Sequence, residues 1–244
     1  MNTIKEQFKN KNQIAILLDP EKKASVNQFL TYFSQIDHSK IDYLFVGGST
    51  ATRIQIEELV SELKIITKSP ILLFPGNSDQ FSAKADGILF LNLISGRNPK
   101  YLIESQIDAA VEIFESGIPA ISTSYILIDG KNESSVKTIS QTEPIDPENV
   151  DLIFKTALAG KLIGHEATYL EAGSGAKQTV PINSVNAISK ISNSLIVGGG
   201  IRTIQQISDF HQAGVNIVVV GNYIESNPHF LNEIIQYKSL LHEN

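Results

Sequence analysis

Short apolar runs recur along the chain, with longer amphipathic segments between them. The runs occupy residues 13–18, 43–46, 70–74, 87–91, 120–127, 168–170, 195–197 and 217–220. Most are continuous rather than alternating, the pattern of parallel strands buried on both faces. The segments between them carry helical spacing. Residues 50–68 place Ile54, Leu59, Leu63 and Ile66 at near-helical intervals, and residues 99–116 do so with Leu102, Ile103, Ile107, Val111 and Phe114. Residues 150–159, 184–191 and 203–213 follow the same pattern. Eight strands alternating with helices predict an α/β fold, a single (β/α)8 TIM barrel spanning residues 1–244. No linker or shift of composition divides the chain.

Two connections break the rhythm. Residues 75–86, between the third and fourth strands, are too few for a full covering helix. The third helix is therefore expected to be missing or degenerate, with the helical ring thin or open there. Residues 129–147 form a long polar stretch after the fifth strand, with Gly130, Pro144 and Pro147, which reads as a lid or a mobile loop.

Glycine marks the ends of the last three strands. The stretches are Tyr169-Leu170-Glu171-Ala172-Gly173-Ser174-Gly175, then Gly198-Gly199-Gly200, then Gly221-Asn222. Glycine leaves backbone N–H groups uncovered, and three such turns at neighbouring strand ends predict one shared phosphate cradle. Glu171 stands beside that cradle, where a carboxylate repels a phosphate but serves as a general base. Tyr169 shares its strand face, either as a barrel-core aromatic or as part of the same site. Asp19 ends the first strand, either as a helix cap or as an oxygen ligand for Mg²⁺. Ser49 follows Gly47-Gly48 at the end of the second strand and carries the same two alternatives. His38, His165, His211, His229 and His242 are scattered, without metal-ligand spacing.

Composition narrows the classes. Hydrophobic residues make up 42% and charged residues 19%, an ordinary globular balance. A net charge of -6 gives no support for nucleic-acid binding. The absence of cysteine excludes disulfides and thiolate metal sites. The first apolar run is too short for a signal peptide, and none approaches the roughly 20 residues of a membrane span. A cytoplasmic protein is expected, at most peripheral to a membrane.

Taken together, Asp19-Pro20-Glu21-Lys22, Gly47-Gly48-Ser49, Asn98-Pro99, Tyr169 to Gly175, Gly198 to Arg202 and Val220-Gly221-Asn222 resemble the geranylgeranylglyceryl phosphate synthase family, with its bacterial heptaprenylglyceryl phosphate relatives. The likeness runs from the first strand to the last. It implies a (β/α)8 barrel without a proper third helix, and a prenyltransferase. That enzyme joins sn-glycerol 1-phosphate to a polyprenyl diphosphate, here geranylgeranyl diphosphate, through an ether bond and releases diphosphate. It further implies Mg²⁺ at Asp19 and Ser49, and glycerol phosphate at Tyr169, Leu170, Glu171, Ala172, Gly173, Ser174, Gly175, Gly199, Gly200, Gly221 and Asn222. Glu171, with Tyr169 beside it, takes the hydroxyl proton. A homo-oligomer and a transient membrane contact for the lipid product also follow from the resemblance. Some bacterial relatives carry a lysine two residues before the metal aspartate. Leu17 stands there in this chain, so phosphate charge falls to backbone N–H groups, a helix N-terminus, Lys22 or Arg202.

Two other classes compete. A phosphosugar isomerase or aldolase shares the glycine loops but has no use for Asp19 with Ser49 or for a lipid opening. An aldolase also needs a strand lysine, and none of the strand segments carries one. A non-catalytic phosphate-binding protein has no use for Glu171. For a prenyltransferase, the thin wall at residues 75–86 is the expected place for an apolar channel, lined by the third and fourth strands and the helix after Pro99.

Overall fold

The computed structural model describes residues 3–241, so His242 lies outside the described residues. Eight parallel strands close into a barrel in chain order, with β8 hydrogen-bonded back to β1. They are β1 Gln13–Leu18, β2 Tyr43–Val46, β3 Ile71–Leu73, β4 Gly87–Asn92, β5 Ala120–Leu127, β6 Ala167–Glu171, β7 Leu195–Gly198 and β8 Ile217–Val220. Every expected strand is present. β6 extends to Glu171 and β7 to Gly198, because those two residues pair across the ladder.

Alternation along the strands divides the core in two. Tyr43, Phe45, Leu72, Leu89, Tyr125, Tyr169, Ile196 and Ile217 form one buried cluster inside the barrel. Ile16, Leu44, Val46, Ile126, Leu170, Val197 and Val218 pack outward with the helices. Phe8, just after the short helix α1 Ile4–Gln7, belongs to the inner cluster, its ring 5.1 Å from that of Tyr43. The helical layer comprises α2 Lys23–Phe33, α3 Arg53–Ile66, α4 Ser105–Ser116, α5 Ser135–Ser140, α6 Val150–Ile163, α7 Ile182–Ile188, α8 Ile204–Gln212, α9 Asn222–Ser226 and α10 Phe230–Leu241. Capping boxes start α3, with Thr52 and Gln55, and α8, with Thr203 and Gln206. No helix of the described residues is long and apolar enough to cross a membrane.

No helix stands between β3 and β4 among the described residues. The segment is irregular but pinned. Gln80 is buried and donates to the carbonyls of Gly48 and Ala51, while its oxygen accepts the Gly76 N–H. The wall here is thin rather than open.

Three details differ from the sequence pattern. The stretch 129–147 is not a loose loop. It holds α5, capped by Ser134, and Ile145 is hydrogen-bonded to the end of β5. The segment 99–116 is helical, but a π-helical turn, Lys100–Glu104, precedes α4. Its stripe of Ile103, Ile107, Val111 and Phe114 faces away from the barrel, 54% to 86% exposed. Ile54 on α3 is exposed as well, and Ile56, Leu59, Val60 and Leu63 form the buried face instead.

Candidate active site

Tyr169 and Glu171 lie two residues apart on β6 and border one cavity at the carboxyl-end mouth of the barrel. Glu171 is 6% exposed. Burial pushes its carboxyl up to about 7, against the opposing pull of the Gly173 N–H and the neighbouring Tyr169 hydroxyl. The Gly173 N–H donates to Glu171 Oε1 at 2.7 Å. Tyr169 packs edge-to-face on Tyr125 at 5.3 Å. The phenols of both are held far above the ordinary tyrosine range, first by burial and then by the charge of Glu171. The buried Tyr169 hydroxyl lies beside the Glu171 carboxylate, and both residues border the cavity.

The glycine turns surround this acid. Ser174, Gly175, Gly199, Gly200, Gly221 and Asn222 all border the cavity. Gly199 has φ of 88°, and a Cβ there would press on Glu171 Oε1 and the Ala172 N at 2.6 and 2.9 Å. Only glycine lets that backbone approach the acid. Asn222 Nδ2 donates to Ser174 Oγ at 2.8 Å and ties the β8 turn to the β6 turn. Leu170, Ala172 and Gly173 lie behind this surface. Leu170 and Ala172 join the helix-facing core, and the Ala172 and Gly173 N–H groups are spent on Gly198 O and Glu171.

Asp19 and Ser49 occupy the opposite lip of the same cavity. Neither caps a helix. The N-cap of α2 is Lys22, with no side-chain cap bond, and that of α3 is Thr52. Asp19 Oδ1 accepts the Glu21 N–H at 3.1 Å. Burial is the main cause that raises the Asp19 carboxyl above its usual range, so its charged form gains from a nearby cation. A Cβ on Gly48 would collide with the Asp19 carboxylate, which fixes how closely the two lips meet. No group of three or more His, Cys, Asp or Glu suited to a metal occurs among the described residues. One carboxylate and one hydroxyl fit Mg²⁺, which takes few protein oxygens and completes its shell from phosphate and water.

From this polar mouth the cavity continues between β4 and α4, past Phe81, Ile88, Leu89, Ala109 and Ile113. It follows the thin wall. Glu112 borders its far end and forms a two-pronged ion pair with Arg53, one leg being Nη1 to Oε2 at 3.0 Å. The Arg53 guanidinium lies 5.7 Å from the centre of the Phe81 ring. One end of the cavity therefore suits anions and the other an apolar chain. The described histidines stand apart from it. His165 meets Ser124, and His211 is buried between Tyr237 and the Gln13 carbonyl.

The chain matches the PcrB family profile over residues 5–238. It belongs to the PcrB family. It is 45% identical to the geranylgeranylglyceryl phosphate synthase of Zunongwangia profunda over 224 residues, covering 91% of this chain and 95% of that one. It is 44% identical to the synthase of that name from Flavobacterium johnsoniae, covering 90% of each. In three dimensions it resembles the (S)-3-O-geranylgeranylglyceryl phosphate synthase of Thermoplasma acidophilum, solved with its substrate sn-glycerol-1-phosphate. The TM-score is 0.88 at 26% identity, covering 97% of this chain and 98% of the other. The missing third helix and the cavity beside it are thus features of a PcrB family member.

Sequence reasoning did not find Glu225, Gln80 or the Arg53–Glu112 pair. Glu225 is buried at the cavity but bonds to residues more than 200 positions away, so no local pattern marks it.

Proposed function

We propose that this protein is a prenyltransferase that joins sn-glycerol 1-phosphate to geranylgeranyl diphosphate and releases diphosphate. The observation that carries this reading is the single cavity. It joins a glycine phosphate cradle to an apolar channel, with one buried acid at the junction. A phosphosugar enzyme has no use for the channel, and no strand residue is a lysine that could form a Schiff base.

The glycine turns hold the phosphate through backbone N–H groups, which orients the free hydroxyl toward Glu171. The hydroxyl oxygen forms a bond to the first prenyl carbon as the carbon–diphosphate bond breaks. The Glu171 carboxylate stabilises the allylic carbon as that carbon gains cationic character, and takes the hydroxyl proton as the new carbon–oxygen bond forms. The Tyr169 hydroxyl, on the same strand face, supports the same reacting centre. Asp19 and Ser49 are the residues that would hold Mg²⁺. When bound, the ion neutralises charge on the departing diphosphate.

In this reading the enzyme works in the cytoplasm and touches a membrane transiently to deliver its product. It also acts as a homo-oligomer, supported by the outward apolar stripe of α4. Phe114→Glu should shift the assembly to smaller species in light scattering, and an unchanged mass would remove α4 from any interface. The central test mixes purified protein, sn-glycerol 1-phosphate, geranylgeranyl diphosphate and Mg²⁺. Diphosphate release and an ether product by mass spectrometry are expected only with all components. Release without glycerol phosphate would refute the transfer.

A further inference from the structure

Leu17 brings no charge to the cradle. A Cβ on Gly221 would touch its side chain at 3.6 Å, so an apolar group lies directly beside the β8 turn. Arg202, which borders the cavity, gives Nη2 to the Ala176 carbonyl at 2.8 Å. Lys22 is placed differently. Its Nζ lies 2.7 Å from Glu225 Oε2 and 2.8 Å from Asn222 Oδ1. Asp19 Oδ2 is farther, at 4.0 Å. The second oxygen of Glu225 accepts the Asp19 N–H at 3.0 Å. Asn222 continues to Ser174. One chain of contacts thus crosses the mouth from the end of β1, through Glu225, Lys22 and Asn222, to the β6 turn.

Glu225 borders the cavity and its side chain is only 4% exposed. A buried carboxylate is costly unless its oxygens are held, and here one holds a backbone N–H and the other an ammonium. An ammonium has three N–H donors. Glu225 and Asn222 take two of them, which leaves one for a phosphoryl oxygen next to Asn222.

We propose that Lys22 is the binding residue that supplies a cation to the phosphoryl group of glycerol phosphate, and that Glu225 is the positioning residue that aims it. Lys22 thereby does from the start of α2 what a lysine at position 17 would do from the strand. The identity of the phosphate rests on the prenyltransferase reading; the contact chain does not.

The test is isothermal titration of sn-glycerol 1-phosphate without prenyl diphosphate, paired with steady-state kinetics. Lys22→Met should weaken glycerol phosphate binding and raise its KM by about 10- to 100-fold, the range of a lost charge-assisted hydrogen bond. Its KM for geranylgeranyl diphosphate should stay within about twofold, while its melting temperature should fall, because the buried Glu225 loses its ammonium partner. Lys22→Arg should recover part of the affinity. Glu225→Gln should act in the same direction but more weakly, and adding it to Lys22→Met should cost little more, because the two act as a unit. Glycerol phosphate affinity within about twofold of wild type in Lys22→Met would overturn the assignment, as would a loss confined to the prenyl diphosphate. A wild-type protein that binds glycerol phosphate but makes no ether leaves this assignment standing and removes the reaction. A wild-type protein that binds none removes both.

Discussion

The rim over β6, β7 and β8 is tied turn to turn by directional hydrogen bonds, whereas the rim over β3 and β4, pinned by Gln80, presents a largely apolar wall to the cavity. On the first side, the Gly130 carbonyl accepts the N–H groups of both Lys177 and Gln178, Asn132 donates to the Ser174 carbonyl, and Asn222 donates to Ser174 Oγ. On the second, Phe81, Ile88, Leu89 and Ile113 line the wall and no helix covers it. The difference matches what each side would bind. An anion gains from dipoles fixed before it arrives, since none must reorient. A prenyl chain gains from apolar area, at roughly 0.8 kcal/mol for each buried CH₂, and area needs little angular precision. The barrel could therefore lose a helix on the lipid side, where a gap is useful, while keeping every loop tied on the phosphate side.

The largest effect should come where the two sides meet the leaving group. Asp19→Ala removes the carboxylate that follows β1 on that lip. Turnover should fall to background while circular dichroism and the melting transition stay native. Near-normal activity with Mg²⁺ as the only metal would separate Asp19 from the reaction. Chelation by EDTA should reproduce the loss, and Mg²⁺ should reverse it.

Next comes the acid at the junction. Glu171→Gln keeps shape and hydrogen bonding but cannot accept a proton, so the rate should drop about 10²- to 10⁴-fold with glycerol phosphate binding largely kept. In the wild type the rate should rise with pH through about 7, where the buried carboxyl ionises. The sign for stability is opposite. The unfolded chain ionises this group near 4.5, while the folded protein keeps the proton until about 7, so the fold loses stability as pH rises through that window. Glu171→Gln should therefore be more stable than wild type at pH 8, by up to roughly 3 kcal/mol, and show no such gain at pH 4. Parallel denaturation curves for the two proteins at both pH values would make Glu171 an ordinary solvated acid.

The two rims were not equally legible in sequence. The phosphate side is written locally: each glycine turn follows its strand within a few residues, and Glu171 and Tyr169 share a face by simple alternation. The missing helix was visible too, because residues 75–86 are too few to form one. What lay hidden depends on distant partners. Glu225 reads as a surface acid until β8 returns to β1 and places it under Lys22. The stripe on α4 misleads for a related reason. Periodicity reports that a helix has an apolar face, not which way it points. Here the inward face is the less conspicuous set of Gln106, Ala109 and Ile113, since it borders a cavity rather than packed core. Likewise, the polar composition of residues 129–147 hid α5, whose cap Ser134 was one of several serines in that stretch.

The smallest effect tests the apolar side alone. Ala109 borders the channel on α4, between the mouth and the Arg53–Glu112 pair, and is distant in sequence from every phosphate turn. Ala109→Phe would place a ring in the path of the chain without touching Asp19, Glu171 or the glycines. A diphosphate of about ten carbons should still react normally, because its short chain gains little from the far wall. Geranylgeranyl diphosphate should lose about tenfold in kcat/KM, equivalent to roughly two displaced CH₂ groups. Its KM should carry most of the loss, since that contact is made equally in ground and transition states. The KM for glycerol phosphate should not change. Equal losses for short and long diphosphates would mean that the chain takes another route, and that the thin wall at residues 75–86 is a property of the fold rather than of its substrate.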